Sequence, residues 1–290
     1  VRRSAASQPA VYSVAQMPPT QHRYHFPNLL EAFCILLVLY FTEYFMDALI
    51  WKFGRDAGLE RISIQSIGRV LACGLVFTVL LHHAKRTYRD LFHESTSSWK
   101  AALGLFSVPI LLLTPGLLLV ETLIQIVVVH FFPMSQSMID MFREMSTGGL
   151  GAIVLVCLIA PIVEEMLFRG IILRSFLQQY PSGVAIVHSA AVFGLAHLNV
   201  YQFVGAFVTG LLLGKLYERT RSLLPCILVH GFYNTGCTIL AYQYAPNEWS
   251  ATSDLSLPWT VFAVLSGGAG AWLLYKLIAP RAASGAEPQA

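Results

Sequence analysis

Glu164 and Glu165 stand side by side in "PIVEEMLFRG", Pro161 to Gly170, directly after the uncharged run "LGAIVLVCLIA". An ionised side chain in hydrocarbon costs about 2.5 to 3.5 kcal/mol on insertion scales, so some partner or some chemistry must offset it. Helical spacing separates the two acids. Glu165 and Arg169 are four apart, with the acid first, and share a face as an ion pair. Glu164 points about 100° away and is expected to lack that partner and face a cavity. Two further polar clusters lie in apolar stretches: Phe193 and His197 in "FGLAHLN", and His230 and Asn234 in "HGFYN". His230 and Asn234 are also four apart, so both can address one point, and Phe193, one turn before His197, can pack beside it.

A carboxylate held away from bulk water is a good general base. Two imidazoles and an amide can steer a water molecule and stabilise an oxyanion. Together they make an activated-water hydrolase. No serine or cysteine stands in the three clusters as a nucleophile. One Glu and two His are also a zinc-hydrolase ligand set. There is no HExxH, and the sequence leaves zinc open.

These groups need a scaffold that works in lipid. The 290 residues are 56% hydrophobic and only 12% charged, against about 25% charged in soluble domains. With several apolar runs of about 20 residues, this places the chain among all-α, multi-pass membrane proteins, with the bilayer as its surroundings. A net charge of +3 gives no footprint for nucleic acid. The five cysteines, Cys34, Cys73, Cys157, Cys226 and Cys237, fall in apolar segments without a CxxC pair and read as packing residues.

Eight spans are expected, at about 29–50, 64–83, 101–131, 149–179, 183–199, 203–218, 223–242 and 258–279. Pro109 and Pro115 should kink the third. Residues 1–28 read as a disordered N-terminal tail, 29–279 as one membrane-embedded domain with a motif-bearing core at 149–242, and 280–290 as a disordered C-terminal tail. Arg2, Arg3, Arg23, Lys85, Arg86, Arg89, Lys100, Lys215, Arg219, Arg221, Lys276 and Arg281 fall on the side of the termini. Lys52, Arg55, Arg61, Arg69 and Arg143 fall opposite. The positive-inside rule then makes both termini cytoplasmic. Glu164 and His197 are each about 25 Å from the turn at Pro181, so antiparallel helices bring them to one depth. His230 lies only about 13 Å past the turn near Arg221, a mismatch in depth.

At these residues the chain resembles the CPBP family of intramembrane proteases, which includes the type II CaaX prenyl endopeptidases and the bacterial Abi proteins. The family motifs EExxxR, FxxxH and HxxxN appear in order at Glu164–Arg169, Phe193–His197 and His230–Asn234. The resemblance covers roughly residues 149 to 242. It implies that Glu164 and His197 activate water for attack on a peptide bond, and that His230 and Asn234 form the oxyanion hole. Glu165, Arg169 and Phe193 are then supporting. It also implies no firmly required metal, and a cavity open toward the cytosol. The expected substrates are membrane-associated, lipidated or C-terminally anchored proteins. CaaX processing, sorting-signal cleavage and bacteriocin immunity all remain open.

Other intramembrane acids allow a rival reading as a transporter or channel relay. Glu43 and Asp47 share a face and are expected near the outer interface, with a polar vestibule as the other reading. Glu121 is expected to pair with a base such as Arg69. His188, Phe232 and Tyr233 read as packing. A catalytically inactive scaffold is a third reading, which the complete motif set argues against.

Overall fold

The computed structural model describes residues 25–94, 98–244 and 255–279. The expected N-terminal tail lies outside the described residues up to position 24, and the 280–290 tail lies outside them entirely. All the regular structure among the described residues is helical. The elements are α1 (Leu29–Asp56), α2 (Arg61–His83), α3 (Tyr88–Phe92), α4 (Trp99–Phe131), α5 (Gln136–Thr147), α6 (Gly149–Gln179), α7 (Ser182–Leu195), α8 (Val200–Thr220), α9 (Leu223–Tyr244) and α10 (Leu257–Ile278).

Seven of these helices are long and apolar enough to cross a membrane: α1, α2, α4, α6, α8, α9 and α10. The expected fifth span is shorter than the sequence implied. It ends at Leu195 as the 14-residue helix α7, about 21 Å long against a hydrocarbon core of about 30 Å. The amphipathic helix α5 was not anticipated, because its polar face hides it from a search for apolar runs. Helix α4 runs on through Pro109 and Pro115.

The starts of the helices are encoded locally. Asn28 accepts from the Glu31 backbone N–H, and the Glu31 carboxylate accepts from the Asn28 N–H, a reciprocal cap that opens α1. Ser256 caps α10, which has Pro258 in its first turn. Close packing relies on small residues. At the crossing of α4 and α10, a Cβ on Gly116 would sit 2.8 Å from the Gly267 Cα, the kind of backbone approach that holds helices together in lipid.

Following the chain, the start of α1, helix α3, the α6–α7 turn, the α8–α9 turn and the end of α10 share one end of the bundle, the terminal end. Gln179 donates to the Pro27 carbonyl there, and the Glu94 N–H donates to the Arg221 carbonyl. The α1–α2 turn and α5 lie at the opposite, distal end. The Tyr201 hydroxyl, at the start of α8, donates to the Pro133 carbonyl just before α5.

Candidate active site

Helix α6 carries the first cluster, and it is not a regular α-helix. It widens to π-helix at Leu155–Ile159 and again at Met166–Leu173, on both sides of the two glutamates. Short π segments often mark functional positions. The first has a traceable cause. The Ala160 N–H bonds the Leu155 carbonyl, five residues back. The carbonyl of Val156 would next look to residue 161, but Pro161 has no N–H. The orphaned carbonyl is instead met by Asn234 Nδ2, at 2.9 Å. A motif residue of α9 is thus fixed by a proline in α6.

Glu165 and Arg169 form the expected pair at 2.9 Å, with side chains 0% and 1% exposed. The same carboxylate oxygen is 2.8 Å from His230 Nδ1. A carboxylate only accepts, so Nδ1 donates and Nε2 is the ring nitrogen left for other work. Arg169 also stacks over the Phe193 ring, with its guanidinium carbon 4.4 Å from the centroid, and donates to the Gly210 carbonyl. Glu165 and Arg169 lie behind the site and orient what faces it.

Glu164, Phe193, His197, His230 and Asn234 all line one cavity of 860 Å³. Glu164 Oε2 lies 3.9 Å from His230 Nε2. Phe193 stands edge-on to both imidazoles, with centroids 5.2 Å from His197 and 5.8 Å from His230. His197 Nδ1 is 3.0 Å from the Phe193 carbonyl. A carbonyl also only accepts, so Nδ1 carries the N–H, the tautomer that leaves the Nε2 lone pair facing away from that bond. His197 is not on a helix. It sits in the α7–α8 turn, where the Asn199 amide donates to its carbonyl and the Asn199 side-chain oxygen caps α8.

The depth mismatch for His230 disappears. A Cβ on Gly170 would meet both Leu91 and Leu223, so α9 begins level with Gly170 rather than with the end of α6. Residues 171–179 run beyond it. From that level Glu165 is five residues away and His230 seven, so the two meet.

Four expectations need correction. Glu164 lacks Arg169 and faces the cavity as expected, and it gains another base: Arg69 Nη1 lies 3.3 Å from Oε1. Arg69 therefore belongs to the site and not to the distal surface, and its partners are Glu164 and Glu43, the latter at 3.2 Å. Glu121 does not pair with Arg69. It accepts from Gln125 at 2.6 Å and from Tyr233, so Tyr233 is more than packing. Glu43 lines the cavity as a vestibule residue and is not at the outer interface. The signal for Arg69 was present, a lone arginine inside an apolar span, but no periodic partner on its own helix pointed to its role.

His188 packs between the rings of Phe176 and Tyr180, as its structural reading required. All five cysteines are free. Among the described residues, no three His, Cys, Asp or Glu side chains gather as metal ligands would.

Fold and site together define an integral multi-pass membrane protein with a largely apolar cavity, at the meeting of its helices, into which a few polar groups project. Residues 146–236, which run from the end of α5 into α9, match the Rce1-like family, described as type II CAAX prenyl endopeptidase Rce1-like. This agrees with the resemblance to CPBP intramembrane proteases and, at the level of the family, supports an endopeptidase of the CAAX type. No curated protein and no solved structure gives a significant match to the chain.

Proposed function

We propose that the protein is an intramembrane endopeptidase in which Glu164 and His197 activate a water molecule for attack on a peptide bond. The observation that carries this reading is the convergence of Glu164, His197, His230 and Asn234 on one cavity. The water loses a proton to Glu164 as its oxygen bonds the scissile carbonyl carbon. His197 Nε2 accepts a hydrogen bond from the same water and fixes its approach. The carbonyl oxygen becomes an oxyanion, met by His230 through Nε2–H and by the second N–H of Asn234. Glu164 then returns its proton to the leaving amine as the C–N bond breaks. Glu165 holds His230 through Nδ1, and Arg69 holds Glu164 at the edge of the site.

The substrates are membrane-anchored or lipidated proteins, and the chain lies with its termini in the cytoplasm. The test is a comparison of membrane and secreted proteins from cells with the wild-type chain and with Glu164→Gln. Cleaved chain ends present only with the wild type are expected. Identical sets of chain ends, with both proteins inserted at equal levels, would refute hydrolysis by this site.

A further inference from the structure

The end of α7 leaves a row of backbone carbonyls without helical partners, and inside a membrane protein each must find a donor within the fold. Most are met inside the turn itself. The Val192 carbonyl takes the Ala196 N–H, Gly194 takes the His197 N–H, and Leu195 takes the Leu198 N–H. The Phe193 carbonyl takes His197 Nδ1, and the His197 carbonyl takes the Asn199 amide. The Ala196 carbonyl is met differently. It accepts from the Tyr40 hydroxyl on α1, 156 residues away in sequence.

That carbonyl and the His197 N–H belong to one peptide plane, so the phenol holds the backbone that carries the imidazole. The turn is not a relaxed one. Leu198 has a left-handed φ of 57°, a region that bulky side chains rarely adopt. A strained turn persists only where its surroundings over-determine it. Without the phenol the Ala196 carbonyl would be orphaned inside the bundle. The peptide would rotate toward another donor, pull its N–H from the Gly194 carbonyl, and move His197 with it.

Tyr40 also stands on a shared face. Leu36, Tyr40 and Glu43, at helical spacing along α1, all line the catalytic cavity. Glu43 holds Arg69, and Arg69 holds Glu164. One face of α1 therefore reaches both members of the water-activating pair: Glu164 through Glu43 and Arg69, and His197 through the peptide before it. Helix α1 lies outside the matched residues 146–236.

We propose that Tyr40 is a positioning residue for His197, its hydroxyl fixing how the imidazole stands to Glu164. Its O–H is committed to the Ala196 carbonyl, so it acts through the turn and not on the substrate. The role in cleavage rests on the endopeptidase reading; the clamp on the turn does not.

The test is Tyr40→Phe in the full-length chain, purified in detergent, which removes the hydroxyl and keeps the ring. On a substrate whose cleavage depends on Glu164, kcat should fall about tenfold, below the roughly 10²-fold that a displacement of about 1 Å can cost. KM should change by less than about twofold. NMR of labelled histidine ring nitrogens gives the second readout, with signals assigned through His197→Gln and His188→Gln. In Tyr40→Phe the His197 signals should shift or broaden. Those of His188, packed between Phe176 and Tyr180, should stay in place. A wild-type kcat overturns the proposal, as does a loss carried by KM or a fall in kcat with unmoved His197 signals. Joint movement of both histidines, or a variant that no longer folds, makes Tyr40 a general brace and overturns it too. Moved His197 signals with no Glu164-dependent cleavage by the wild type keep the clamp and remove the endopeptidase. Glu164-dependent cleavage that Tyr40→Phe leaves untouched does the reverse.

Discussion

Helices α6 to α9 and helices α1 to α4 build the same cavity in different ways. In α6 to α9 the site groups come in pairs four residues apart: Glu165 with Arg169, Phe193 with His197 in the turn just past α7, and His230 with Asn234. In α1 and α2, Glu43 and Arg69 reach the cavity without a partner on their own helix, and in α4 Glu121 has only the neutral Gln125 beside it. The matched segment, 146–236, holds the paired groups, and the rest of the chain supplies counter-charge and wall. A pair on one helix fixes its own geometry. A lone group depends on how two distant helices pack. The first region should therefore fail sharply on mutation, and the second by degrees.

The sharpest test sets the two adjacent glutamates against each other. Glu164→Gln should leave the fold intact and reduce cleavage by about 10³-fold, within the range for a lost general base. Glu165→Gln should instead fail first in stability. It leaves Arg169 as a buried charge without its counter-ion, a loss that costs about 3 to 5 kcal/mol. Thermal melts in detergent, beside rates on a substrate found through Glu164→Gln, separate the two. Equal losses of stability in both variants would contradict the division of labour. Next in size is Asn234→Ala, expected to lower kcat by about 10²-fold, as for one oxyanion donor. It should also lower the melting temperature, since the Val156 carbonyl loses its partner.

Arg69→Leu tests the lone groups. It frees Glu43 and Glu164 from their shared cation and lets the Glu164 carboxylate wander. A loss of about tenfold to a hundredfold is expected, the scale of a displacement of about 1 Å at a reacting group. Arg69→Lys should recover part of it, because charge is kept while the fork that reaches two carboxylates is lost. A loss as deep as that of Glu164→Gln would move Arg69 from positioning into the reaction itself.

Much of the site was legible because helical periodicity converts spacing into geometry. The Glu165–Arg169 pair and the membrane class follow from residue type and the number of residues between them. Other features needed packing. The contact of Glu165 with His230 depends on α9 starting level with Gly170, which is set by the absence of a side chain there. The pairing of Arg69 with Glu164 joins residues 95 apart, and no local rule selects Glu164 over Glu121. The short α7 was hidden because "FGLAHLNV" stays apolar through its turn, so hydropathy continues where the helix stops. Helix α5 was hidden for the opposite reason, since its charged face lowers the average over a segment that still lines the cavity.

Glu121 gives the smallest expected effect, and it also separates the endopeptidase from a relay. Its carboxylate is held by Gln125 and Tyr233, away from Glu164 and Arg69, and it packs against Gly205 of α8. In a hydrolase these contacts brace α4 against α8 and α9, so Glu121→Gln, which keeps the shape and one accepting oxygen, should change kcat/KM by less than about threefold. In a proton or solute relay the ionisable group is itself the path, and the same substitution should abolish transport as completely as Glu164→Gln. Rates for Glu121→Gln, Glu43→Gln and Glu164→Gln on one substrate, with solute uptake measured in vesicles from the same preparations, rank the three acids. A steep ranking with Glu164 alone at the bottom keeps the lone groups as wall. Three equal losses together with uptake would make them the route, and the paired motifs would then need another account.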